Sequence, residues 1–294
     1  MRTGPLSLTA KVGSPRPNGA LCGLSAIPVV LLCLASLCGA ASAATQNAEK
    51  PKNDRPLPAE KEFMPLVIQK VLDWEKNPPE PDYREHRVTT NFDGDKVKDK
   101  LDEIYRVTWY RHKAVYVLEQ KNGVPYAASS LKSQEERKKK AIDEEIANPP
   151  KKEKIDAIYL TPLLNRYTYK IVARELLWGR TAIKIRFDPI PGKFPERKIA
   201  SKILENITGH AWVDEESKEL MKAEVTNPES IHIGWGILAN VTHLRIDYER
   251  KPQPNGVWYV SLLKVRAKVK VFFFTAYNLL SESTFYDLVF PAKN

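Results

Sequence analysis

The chain has little cysteine and places it in one narrow stretch: its three cysteines, Cys22, Cys33 and Cys38, all precede residue 39. The remaining sequence therefore has no thiol for a disulfide, a thiolate metal ligand or a cysteine nucleophile. Histidine is sparse as well. His86, His112, His210, His232 and His243 include no pair at the helical spacing of a zinc hydrolase. Only one long apolar run exists, residues 21–37, and it is followed by Ala41-Ser42-Ala43. With Arg2, Lys11 and Arg16 ahead of it, that run has the order of a secretory signal: cationic, apolar, then small-x-small. Cleavage near Ala44 is expected, with an uncleaved membrane anchor as the alternative. Leu37 ahead of Cys38 argues against lipidation, because that position calls for a small side chain.

Nucleotide and acyl-transfer motifs are missing too. Gly234-Trp235-Gly236 has neither the glycine spacing nor the following lysine of a phosphate loop, and Ser129 with Lys132 lacks the companion motifs of the serine acyltransferases. His210, Asp214 and His243 are the one histidine–carboxylate set that folding could unite. No cofactor and no metal is expected, and the chain reads as non-enzymatic. The net charge is +10. Three of its cations and none of its anions lie in residues 1–43, so the exported part stays basic. Outside the cytoplasm that charge suits anionic lipid surfaces better than nucleic acid.

Three parts are expected: a signal over 1–43, a polar tether over 44–58, and one domain over 59–294. Phe63, Val67, Val71 and Trp74 recur at spacings of four, four and three, which predicts a helix over 58–76 stopped by Asn77-Pro78-Pro79. The period then falls to two. Tyr105, Val107 and Trp109 alternate with Arg106, Thr108 and Tyr110, and the pattern resumes around Val115 and Val117. Asn122-Gly123 predicts a tight reversal, with Pro125 limiting the next strand. A densely charged helix is expected over 131–147. Beyond it, alternating runs at 167–178, 181–188, 207–214, 220–225, 231–237, 241–250, 257–274 and 284–290 predict an antiparallel meander. A short helix is expected within 196–205.

Two faces follow from that alternation. Ile183, Ile185, Phe187, Val213, Leu244, Ile246, Tyr248, Val265 and Val269 are expected to share one apolar face of a single sheet, a candidate lining for an acyl chain. Lys264, Arg266, Lys268 and Lys270 alternate with the apolar residues of 262–273 on a cationic face. Read strand by strand, it has no aromatic partners and must meet water or an anionic surface. The predicted class is mainly β (α+β): a curved antiparallel sheet forming an unclosed half-barrel covered by helices. Its interior is either a cavity or filled by the helices themselves.

The segments GRTAIKIRFDP at 179–189, GHAWVD at 209–214, MKAE at 221–224 and TFYD at 284–287 resemble the outer-membrane lipoprotein-sorting, lipoprotein-carrier-like (LolA/LolB-like) superfamily, in an uncharacterised bacterial branch. The resemblance implies an unclosed antiparallel barrel with helices on its concave side, and a role in carrying or sensing lipid or lipidated protein between membranes; the expected function is a periplasmic binding protein for lipid or lipidated protein. It transfers no site residue. The other expectation is an envelope interaction or sensor protein with a filled core and a protein partner.

Overall fold

The computed structural model describes residues 55–148, 164–192, 199–234, 238–272 and 275–291. The expected signal, most of the tether, residues 196–198 of the predicted short helix, Trp235, Gly236 and the end of the 257–274 run lie outside the described residues.

Among the described residues, twelve strands form one open antiparallel sheet, the unclosed half-barrel expected from the sequence. They are β1 (Asp82–Asp93), β2 (Lys96–Tyr110), β3 (Lys113–Lys121), β4 (Val124–Pro125), β5 (Tyr167–Leu177), β6 (Arg180–Pro189), β7 (Thr208–Asp214), β8 (Leu220–Thr226), β9 (Ile231–Ile233), β10 (Ala239–Pro252), β11 (Trp258–Val271) and β12 (Thr275–Val289). The order is β4-β3-β2-β1-β12-β11-β10-β8-β7-β6-β5, with β9 paired to β10. The C-terminal meander is therefore continuous, and the N-terminal strands join it through β1, which pairs along β12 from Asp82 with Val289 to Asn91 with Leu279.

Local chemistry accounts for the reversals. Asn122 and Gly123 both have positive φ, as do Trp178 and Gly179, which is the backbone a two-residue hairpin turn requires. Pro125 ends β4 after two residues, since it has no amide to extend the ladder. In β7 a glycine is required for a different reason. A Cβ on Gly209 would stand 2.0 Å from the Glu224 carbonyl oxygen and 2.7 Å from the Phe187 ring. Phe187 faces Gly209 across the ladder and lies against it.

Strand β1 is not visible to periodicity. Its sequence DYREHRVTTNFD is polar on both faces, so no alternation marks it; in the first half of β12 the adjacent Leu279 and Leu280 break the alternation.

Three helices are described: α1 (Glu60–Lys76), α2 (Ala128–Ala147) and α3 (Ile199–Leu204). They do not share one side of the sheet. Phe63 and Val67 of α1 pack on Ile171, Ile183, Ile185 and Val213. Ile203 and Leu204 of α3 join the cluster of Ile231, Val241, Ile246 and Val265. Both helices thus cover the apolar face. Helix α2 instead sets Ile142 against Val115 and Val117, whose ladder partners are Thr108 and Arg106 on the opposite face. An amphipathic helix must bury its apolar stripe somewhere, and β3 offers its valines outward. No helix among the described residues is long and apolar enough to cross a membrane.

Candidate functional site

The register places the predicted apolar residues together. Ile183 faces Val213 across β6 and β7, Ile246 faces Val265, Tyr248 faces Leu263, Leu244 faces Ala267 and Val241 faces Val269. Ile246 also faces Val225 on β8, so the apolar face runs unbroken from β6 to β11. Ile183, Ile185, Val213, Leu244, Ile246, Tyr248, Val265 and Val269 are each at most 5% exposed, whereas Phe187 is half-buried against Tyr167. The face is therefore closed, by α1 over β5 to β7 and by α3 over β9 to β11.

Its closure by α1 is slight. Only Phe63 and Val67 of that helix's 17 residues are buried, and Leu66 remains 53% exposed. The helix has no side-chain N-cap, and Pro65 inside it removes one backbone hydrogen bond. Polar contacts hold its N-terminal end. Arg174 on the sheet edge donates to the carbonyls of Arg55 (2.7 Å) and Pro56 (3.1 Å) and pairs with Glu215 (2.6 Å). Glu60 accepts from the Ile171 amide at 2.9 Å.

Toward β1 and β2 the same face mixes buried charge with an aromatic cluster around Val107. Ser283 faces both Leu263 and Arg87, and Glu85 faces Tyr105. Glu85 is buried and accepts from Arg87 at 2.8 Å, while the Arg87 guanidinium lies 5.0 Å from the Tyr105 ring centre. Burial and the neighbouring Glu103 push the Tyr105 hydroxyl up to about 12. Burial likewise raises Tyr83 and Tyr259, which pack together with Phe285.

The opposite face carries the charges. Lys264, Arg266, Lys268 and Lys270 do project there together, but three of them have protein partners. Lys264 sits between Asp247 and Glu282 in the ladder and bonds Glu282 at 3.1 Å. Arg266 lies 4.1 Å from the Phe92 ring centre, and Lys268 stands 3.8 Å from Asp95. The expectation of a stripe without aromatic partners came from treating the strand alone. Strands β1, β10 and β12, and the turn after β1, bring the compensating groups. Further along this face Trp212 is flanked by Lys184 and Lys222, 4.7 and 4.8 Å from its ring centre, and its indole donates to Glu175.

The histidine–carboxylate set does not assemble. His210 faces Glu224, which faces Asp247, while His243 lies four residues further along β10, opposite Lys268. Burial, with Lys184 and Arg186 nearby, lowers the His210 pKa. Asp214 ends β7 and is committed to Arg180 (2.6 and 3.0 Å) and to the amide and hydroxyl of Ser217. Burial works against its charge, but these hydrogen bonds outweigh it and hold the carboxyl below its ordinary range. Among the described residues, no group of three or more His, Cys, Asp and Glu side chains is placed to hold a metal ion.

One feature had no single sequence signal. A cleft of about 530 Å3 opens where the start of α1 meets the β5–β6 and β7–β8 turns, lined by Arg55, Phe63, Arg180, Glu215, Glu216 and Lys218 among others. Its residues come from three distant segments, so no local motif could announce it.

No family model matches the sequence, and no curated protein matches it. Solved structures do align with the chain. A putative outer membrane lipoprotein-sorting protein domain from Vibrio parahaemolyticus is 11% identical, with a TM-score of 0.36 over 81% of this chain and 95% of that one. A DUF1329 family protein from Desulfovibrio piger is 11% identical, TM-score 0.31, over 80% and 94%. A LolA superfamily protein from Nitrosomonas europaea is 9% identical, TM-score 0.29, over 77% and 93%. The names of the first and third of these structures carry the same lipoprotein-sorting and LolA terms as the resemblance of the strand segments. Superpositions this loose carry no functional weight, so a role has to come from the chain's own geometry.

Proposed function

We propose that this chain is an exported, non-enzymatic binding protein of the bacterial envelope, working in the periplasm as a single domain behind a cleaved signal. Its apolar face between β5 and β11 takes the acyl chain of a lipid or a lipidated protein. The observation that carries the reading is the slight cover over a wide apolar face: over β5 to β7, α1 buries only Phe63 and Val67, with Met64 partly buried beside them. Burying two such side chains contributes roughly 4 kcal/mol, and Pro65 subtracts from the helix's own stability. An acyl chain with a dozen methylenes, at ~0.8 kcal/mol each, outcompetes that cover when it lies on Ile183, Ile185 and Val213 beside Phe187, and it reaches Leu244, Ile246, Tyr248, Val265 and Val269 where α3 also gives way. Lys270, the most exposed of the four cations on β11, together with Lys268, supplies contact with anionic membrane. No cofactor or metal takes part.

The closed face also favours a second reading, an envelope interaction protein with a filled core that docks a protein partner. Native mass spectrometry after detergent-free purification, followed by titration with 1-dodecanoylglycerol, separates the two. Acyl binding gives a one-to-one adduct and shifts the methyl resonances of Ile183, Ile185 and Ile246. A bare polypeptide mass with those methyls unmoved at saturating lipid would sink the acyl-chain reading and leave the filled-core one.

A further inference from the structure

The cleft at the start of α1 has a composition unlike the apolar face it adjoins. Arg55, Arg180 and Lys218 stand beside Asp214, Glu215 and Glu216, so its charged lining is neutral overall with both signs interleaved. The groups differ in how far they are committed. Asp214 is buried and saturated by Arg180 and the Ser217 turn. Glu215 is held by Arg174 at 2.6 Å, with Arg55 at 3.7 Å. Glu216 keeps its side chain 89% exposed and touches Arg180 only at 3.4 Å; Arg55 is 65% exposed. Lys218 donates to the Glu215 carbonyl and lies 5.0 Å from the Phe63 ring centre.

Phe63 connects the two regions. It lines the cleft and is also the residue through which α1 closes on Ile183 and Val213. The cleft is thus the polar mouth of the apolar compartment, reached by the same displacement of α1. A singly anionic group there would gain from the three cations and lose to the three carboxylates. A compact group carrying both signs a few atoms apart gains from each.

We propose that this cleft seats a zwitterionic phosphate–ammonium headgroup, with its phosphate toward Arg55, Arg180 and Lys218 and its ammonium toward Glu216. The assignment rests on the reading that the apolar face takes an acyl chain. It adds which end of the lipid points where, and which headgroup class is preferred.

Calorimetric titration of the chain with three probes of equal chain length, each below its micelle concentration, tests it: dodecanoyl lysophosphatidylethanolamine, dodecanoyl lysophosphatidylglycerol and the uncharged 1-dodecanoylglycerol. The expected preference for the ethanolamine head over the glycerol head is about fivefold, the scale of a partly exposed ion pair. Glu216→Lys should reverse the order of the two phospholipids while leaving 1-dodecanoylglycerol unchanged. Arg55→Gln, at a second exposed position, should weaken both phospholipids a few-fold and spare the uncharged probe. Equal affinities for the two phospholipids, or a ratio unmoved by Glu216→Lys, overturns the headgroup assignment while acyl binding stands. Failure to bind any of the three overturns the acyl reading itself and the assignment with it.

Discussion

Replacing Phe63 with alanine tests whether α1 is a detachable cover or part of the core. Phe63 is 3% exposed and supplies the larger share of what α1 buries on the sheet. If the helix closes as a separate unit, its net closing free energy is on the order of 3 kcal/mol: about 4 from Phe63 and Val67 plus the Arg174 and Glu60 hydrogen bonds, less the Pro65 defect and the ordering of the segment. At that value the open form is about one molecule in 150, and a guest that binds only the open form has its affinity reduced by the same factor. Phe63→Ala removes roughly 2–3 kcal/mol of closing energy. Guest affinity should then rise about 50-fold, while the urea midpoint of the sheet moves little. Calorimetric titration with 1-dodecanoylglycerol and urea unfolding followed by tryptophan fluorescence read the two quantities in parallel. The opposite pattern refutes the reasoning: a global loss of about 3–5 kcal/mol, as for a Phe→Ala cavity in an integral core, with affinity unchanged or weakened.

Two further outcomes follow from the fold. Gly209→Ala puts a methyl 2.0 Å from the Glu224 carbonyl, so β7 and β8 must separate and the Phe187 ring must move; a loss of at least about 2 kcal/mol in denaturant unfolding is expected, and a neutral result would show that β7 is not held as described. Stability should also fall in acid. Asp188 and Asp214 are held below the ordinary carboxylate range by Arg186 and, against burial, by Arg180, so the unfolded chain binds more protons than the native one as pH drops past about 4. Their contribution is fully present above about pH 5 and is lost below it. Asp214→Asn should cost about 2 kcal/mol at pH 7 and flatten the acid limb of unfolding free energy against pH, and an unchanged limb would remove Asp214 from that account.

Much of this architecture was written locally in the chain. The spacing of Phe63 and Val67 marks the buried side of α1, Asn122-Gly123 and Pro125 set the end of β3 and the brevity of β4, and alternation from Leu263 to Val271 assigns that part of β11 to its two faces. These are short-range effects of backbone period and turn chemistry, so one sequence suffices to see them. Which strands neighbour one another is not local. The polar β1 became a strand only because β12 and β2 satisfy its amides, and that pairing spans nearly the whole domain. The cationic side of β11 lost its apparent isolation for the same reason, since Glu282, Asp95 and Phe92 reach it from other elements. The closing of α1 over Ile183, and the mixed-charge mouth beside Phe63, depend on side chains brought together from three separated segments. Periodicity decided which residues face inward; only the tertiary packing decided what covers them.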